Sequence, residues 1–209
     1  MSYHIPVLLK QSVEGLNIQA GGIYVDVTFG GGGHARSIFE QMEQGTLIAF
    51  DQDPDASRNT TSFESDAQRS FIFVPSNFRH LKRYLKFHKI DKVDGILADL
   101  GVSSHQFDQQ SRGFSTRFDG ALDMRMDQVS AITAAKVVNE YSEEDLIQLL
   151  SRYGEIRNAK RLAAEIISAR AIAPIYTTAA LRAIAMKSAP NGKHAKYSAQ
   201  LFQAIRIEV

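Results

Sequence analysis

The sequence predicts an α/β fold built on a parallel sheet, and three observations predict it. Four short apolar runs recur over the first hundred residues, separated by stretches long enough for helices. The first of these runs leads straight into four consecutive glycines, Gly30 to Gly33. After about residue 105 the β-type runs stop and helical periodicity takes over. Strands that alternate with helices and carry apolar residues on both faces belong to a parallel sheet covered on each side.

In chain order, the expected strands are IYVDVT (23–28), TLIAF (46–50, ending at Asp51), FIFV (71–74) and VDGILA (93–98, ending at Asp99). A polar–apolar segment through Met42 follows the glycines, and a basic amphipathic stretch covers 78–88, so helices are expected in both places. Residues 105–127 read as loop, rich in Gly, Ser, Asp and Arg. Further helices are expected at 131–141, at 142–150 with Ser142 as cap ahead of Glu143, Glu144 and Asp145, and at 155–171. Another is expected from Thr177 or Thr178 to about Lys187, and a last one from Ser198 to Val209 after the break at Pro190-Asn-Gly192. A nucleotide-binding sheet usually has more than four strands, so the chain reads as a piece of a longer protein, cut before its sheet is finished.

Composition narrows the chemistry. A chain that is 44% hydrophobic and 22% charged is expected to be globular and to bury a real core. With no cysteine, disulfides and thiolate metal sites are excluded. The histidines at 4, 34, 80, 88, 105 and 194 lack metal-ligand spacing, and no metal is expected. There is no membrane-length apolar run and no signal-type start, so the expected location is the cytoplasm. Net charge is +1, but residues 1–151 carry 14 Lys+Arg against 20 Asp+Glu, whereas 152–209 carry 10 against 3. That asymmetry points to nucleic acid or another acidic surface, the plain alternative being a solvated helical face.

The glycines carry the first chemical signal. Gly30-x-Gly32-x-x-Ala35 fits the fingerprint in which absent side chains let the backbone touch a nucleotide, and Asp51 lies where an acid binds ribose hydroxyls. The pair indicates an adenosine cofactor without saying which. A dinucleotide would seat its pyrophosphate at the helix start, whereas S-adenosylmethionine would turn its methionine moiety there. The plain alternative is a tight turn with a capping Asp. Asp99, in ADLGVSS (98–104), follows the fourth strand and belongs in the ligand crevice beyond the strand tips. A carboxylate there suits drawing aside an N–H of an exocyclic amine; a helix cap is the other reading. Phe78 lies after the third strand, either covering an adenine ring or packing as a core or staple residue of the next helix. Asp119, Asp123 and Asp127 would share one helical face, interleaved with Arg117 and Arg125, as a salt-bridged lid beside the cofactor rather than a metal cage. Arg157, Lys160, Arg161, Arg170, Arg182, Lys193 and Lys196 supply a basic face for phosphate contacts.

Seven strings in order, YHIPVLL (3–9), DVTFGGGGH (26–34), DQD (51–53), DLGVSS (99–104), RGFS (112–115), LDMRMD (122–127) and FQAIRI (202–207), resemble the bacterial 16S ribosomal RNA cytosine-N4 methyltransferases (MraW-type) from end to end. The resemblance implies a class I, Rossmann-like methyltransferase fold with an incomplete sheet and an inserted helical domain. It implies residues 1–107 as the first part of the methyltransferase domain, 108–197 as the insert, and 198–209 as the start of the returning segment. It also implies S-adenosylmethionine as cofactor, 16S rRNA in the small subunit as partner, and methyl transfer to N4 of a decoding-region cytidine. The cofactor contacts implied are Gly32, Gly33, His34, Asp51, Phe78, Asp99 and Gln106; of these, His34 and Gln106 rest on the resemblance alone. The chain departs from the family at His105, where proline is usual, and family members continue well past the 202–207 string. An NAD-dependent oxidoreductase is the competing enzyme class, for which no hydride-transfer partner is evident, and a non-catalytic RNA-binding module is the third reading.

Overall fold

A computed structural model of the protein describes residues 6–209, with the backbone alone at 104 and 105. Residues 3–5 of the first family string and the side chain of His105 therefore lie outside the described residues. The chain forms two compact units: one runs to Ser103 and takes in Met126–Gln128, and the other comprises Ser104–Arg125 and Val129–Val209.

The first unit holds a sheet of β1 (Ile23–Asp26), β2 (Gly45–Phe50), β3 (Arg69–Val74) and β4 (Gly95–Leu97), all parallel, in the order β3-β2-β1-β4. These are the four expected strands, each within a few residues of its expected bounds. Neighbouring residues along a strand point to opposite faces, so both must be covered. Tyr24, Leu47 and Ala49 pack with Val13, Ile38 and Phe39, from α1 (Leu9–Gly15) and α2 (Gly33–Gln41). Val25, Ile48 and Phe50 pack on the other side with Leu81, Tyr84 and Leu85 of α3 (Leu81–Phe87). Helix α1 is an addition to the expected elements. Its amino end, Leu8, is left-handed (φ 55°) and makes no side-chain cap, so nothing at that position signals a start.

Strands β2 and β3 lie on one side of β1 and β4 on the other, so the chain reverses its winding between β1 and β4. In an open parallel sheet such a reversal opens a crevice at the carboxyl ends of the strands. Phe29, Phe39, Phe63, Phe71 and Phe73 form an aromatic cluster beside it, with Phe63 and Phe71 stacked at 4.1 Å between centroids.

The second unit contains α4 (Ser104–Asp108), α5 (Ala134–Glu140), α6 (Glu143–Arg152), α7 (Ala159–Ile172), α8 (Thr178–Ser188) and α9 (His194–Glu208). Helices α6 to α9 pack on one another through Leu146, Leu150, Leu162, Ile166, Leu181 and Leu201, all fully buried. Helix α7 begins four residues later than expected, after Glu155 takes a left-handed φ of 52°. Helix α9 begins four residues earlier, two residues after Gly192 (φ 74°). Residues 198–208 are thus the later part of one continuous helix, and that helix contacts α5, α6 and α8.

The expected helical face of Asp119, Asp123 and Asp127 does not form, because residues 113–130 are not helical. Asp123 instead pairs with Arg125 at 2.8 Å, and Asp119 accepts a hydrogen bond from the Ala179 N–H in the first turn of α8. Gly113 (φ 69°) decides the path: a side chain there would collide with the Ala121 carbonyl.

Candidate active site

The carboxyl end of β1 builds the centre of the crevice. Gly30 (φ 50°) and Gly32 (φ 76°) take conformations that suit glycine, and Gly32 ends the loop as the residue before α2. A side chain at Gly32 would press on the rings of Phe29 and Phe63, so the aromatic cluster sets the loop's lower surface. The Asn59 amide donates to the Gly30 carbonyl at 3.0 Å and holds the loop from the side.

Asp51 lies one residue past β2 and faces this loop. Its Oδ2 accepts from the Gly30 N–H at 2.7 Å and its Oδ1 from the Asp53 N–H at 2.8 Å. Burial raises its carboxyl above the ordinary range, and these backbone donors oppose the shift. Asp99 lies two residues past β4. Its N–H donates to Thr28 Oγ1 at 2.7 Å, and its half-exposed carboxylate stands 3.9 Å from His34 Nδ1. His34, in the first turn of α2, is buried, and its Nε2 has no hydrogen-bond partner among the described residues. Asp51 and Asp99 thus meet the same short loop, at positions two residues apart.

Sequence reasoning missed the residue beneath them. Asp26 ends β1 with no exposed surface, and its Oδ1 accepts from the Thr28 N–H at 2.9 Å. Its Oδ2 is sealed from solvent and unpaired among the described residues. Burial, with smaller contributions from the charges of Asp51 and Asp99, pushes this carboxyl up to about 6. The signal was present, since a carboxylate inside an apolar strand needs a reason to be there.

Phe78 is 44% exposed, in the 3-10 turn after β3, so it is not a core residue, and a staple at the start of the next helix stays open beside the adenine contact. The neighbouring Asn77 side chain donates to Gln52 Oε1 at 2.7 Å and ties that turn to the residue after Asp51. Gln106 is buried in α4 of the second unit.

The basic residues also converge. The Asn158 amide donates to the Ser188 carbonyl at 2.8 Å, the Tyr197 hydroxyl donates to Asn158 Oδ1 at 2.9 Å, and Arg161 donates to the Lys187 carbonyl at 3.0 Å. These bonds draw together the start of α7, the end of α8 and the start of α9. Arg157, Lys160, Arg161, Lys187, Lys193 and Lys196 are therefore exposed in one region. Arg170 and Arg182 instead donate to the carbonyls of Val138 and Thr116.

Comparison with known proteins agrees with this geometry. The sequence matches the MraW methylase family over residues 1–209. The chain belongs to the MraW methylase family. It is 54% identical over 99% of its length to a Cytophaga hutchinsonii protein named ribosomal RNA small subunit methyltransferase H, covering 68% of that protein. Proteins of the same name from Amoebophilus asiaticus and Bacteroides thetaiotaomicron are 52% and 50% identical over 100% of the chain, which covers 66% and 67% of them. The chain thus spans about two thirds of the length of these MraW-family relatives. Membership fixes the fold as the class I methyltransferase type, with which the four parallel strands and flanking helices accord. Among the described residues, no helix of this MraW-family chain is long and apolar enough to cross a membrane.

Proposed function

We propose that this chain carries the cofactor-binding and substrate-recognition parts of an S-adenosylmethionine-dependent enzyme that methylates the exocyclic N4 of a cytidine in the decoding region of 16S ribosomal RNA. The convergence of Asp51 and Asp99 on residues 28–30 is the observation that carries the reading. The relatives' names support ribosomal RNA of the small subunit as substrate and, with it, a cytoplasmic enzyme.

The residues present fit a cationic adenosyl cofactor. The charges of Asp51 and Asp99 both act on Asp26 at the strand tips, and Asp26 Oδ2 has no hydrogen-bond partner among the described residues. When bound, S-adenosylmethionine supplies a methyl group activated by a positively charged sulfur. Asp51 keeps lone pairs beyond its two backbone bonds, enough to accept from ribose hydroxyls. The exposed ring of Phe78 would cover the adenine face. Gly32, Gly33 and His34 would line the methionine end. Gln106 is assigned a cofactor contact by the family resemblance.

Asp99 is the catalytic residue in this reading. The lone pair of an exocyclic amine is delocalised into its ring. A carboxylate that accepts one N–H would hold the amine with that pair facing the methyl end of the site, and would be placed to take the amine's proton. Because the base must leave its stack to reach a crevice, phosphate contacts are needed to hold the RNA. Arg157, Lys160, Arg161, Lys193 and Lys196 provide them.

The test uses the full-length enzyme, tritiated S-adenosylmethionine and small-subunit particles that lack the modification. Label on N4 of a single decoding-region cytidine is expected, and label on another atom, or none, overturns the reading. Calorimetric titration is expected to give heat with S-adenosylmethionine and none after Asp51→Ala. Heat with NAD alone would replace the reading with an oxidoreductase.

A further inference from the structure

We propose that Thr28 is a positioning residue for methyl transfer, its hydroxyl holding the backbone of the Asp99 loop at the crevice. The proposal rests on the reading of Asp99 as the residue that guides the amine.

The last backbone bond between β1 and β4 is donated by the Val27 N–H to the Leu97 carbonyl, at 3.0 Å. Beyond it the strands end, and the Thr28 side chain continues the connection by accepting from the Asp99 N–H at 2.7 Å. A hydroxyl has one proton. With its acceptor side taken by Asp99, that proton is directed to Asp26 Oδ1, 3.3 Å away, which also accepts from the Thr28 N–H. The acceptor is anchored, because Asp26 is fully buried at the end of the central strand. The loop it holds is not. Leu100 is 71% exposed, and a side chain at Gly101 would meet nothing within 4 Å. Packing therefore contributes little at Leu100 and Gly101, and among the described residues the Thr28 hydroxyl supplies the hydrogen bond that ties Asp99 to β1. Among the described residues, the charges of Asp51 and Asp99 act on Asp26, Asp53 acts on Asp51, and His34 stands 3.9 Å from Asp99.

The experiment compares Thr28→Val, which keeps the shape and loses the hydroxyl, with Thr28→Ser, which keeps the hydroxyl, both in the full-length enzyme. Thr28→Val is expected to lower kcat about tenfold, with KM for the RNA unchanged. Its Asp99 amide is expected to exchange faster with deuterium, and Thr28→Ser is expected to restore both. Removing a donor from Asp26 raises that carboxyl further, so the acid limb of cofactor affinity is expected to move to higher pH in Thr28→Val. Wild-type turnover and amide exchange in Thr28→Val, or losses that Thr28→Ser does not restore, overturn the proposal. If Thr28→Val does not fold, Thr28→Ala takes its place in the same comparison. Undiminished turnover in Asp99→Ala would remove the catalytic reading instead, whereas the amide-exchange comparison tests Thr28 alone.

Discussion

Asp26 is held at some cost to the fold. Its carboxyl is pushed from 3.8 up to about 6, first by burial and then by the charges of Asp51 and Asp99, against the lowering bonds from Thr28. A shift of that size corresponds to roughly 3 kcal/mol of folding free energy. The folded-state value lies above the unfolded one, so the contribution is fully present below about pH 4 and is lost as pH rises through 6. Asp26→Asn removes the charge and this dependence. The variant without cofactor is expected to be more stable than wild type at pH 8, by up to about 3 kcal/mol, with the gap closing towards pH 4. Thermal melts across that range check it, and a gap independent of pH would show that burial of the charge is not the cause. Cofactor titration of Asp26→Asn is expected to show weaker binding, since strain kept at a site commonly serves the ligand at the expense of the fold.

Helix ends show which elements are legible in the sequence. Ser142, followed by three acids, reads as a cap, and its Oγ accepts from the Asp145 N–H at 3.1 Å. Ser142→Ala is expected to cost about 1 kcal/mol, measured by chemical denaturation, because that N–H loses its partner at the edge of the protein. Thr177 caps α8 in the same way, accepting from the Ala180 N–H at 3.1 Å. Where the boundaries depart from expectation, the causes are tertiary. Asn158 stands where a cap would be read, but its side chain is engaged by Ser188 and Tyr197, so the start of α7 is set by packing with α8 and α9. The spacing of Asp119, Asp123 and Asp127 suggests a helix, but the Leu122 N–H donates to the Tyr176 carbonyl and the Met124 N–H to the Arg112 carbonyl, 54 and 12 residues away in sequence. No local pattern encodes such partners. Gly113→Ala is expected to cost more than about 1 kcal/mol, since its left-handed φ and the nearby Ala121 carbonyl both oppose a side chain. A Gly113→Ala protein as stable as wild type would mean that this segment can take another path.

Across the whole molecule, the crevice is legible because strand tips, glycines and acids follow one another in sequence order. The basic region is legible only as a set of cations, since the bonds around Asn158 that gather them join residues up to 39 apart. That gathering matters for binding. Cations spread over a surface release few counterions together, whereas a cluster engages neighbouring phosphates at once. Lys160 and Lys196 give the cleanest test. Both are exposed and have no ion-pair partner among the described residues, whereas Arg161 also bonds to the Lys187 carbonyl, so its loss would mix charge with helix packing. Charge reversal in Lys160→Glu with Lys196→Glu is expected to weaken RNA binding by the full-length enzyme. The slope of log affinity against log salt is expected to become shallower by about one for each phosphate no longer neutralised. S-adenosylmethionine affinity is expected to stay the same, because neither lysine is among the residues assigned to that site. RNA affinity measured across a salt series decides it. An unchanged slope would make the cluster a solvated surface, and a parallel loss of cofactor binding would mean that the reversal had disturbed the fold.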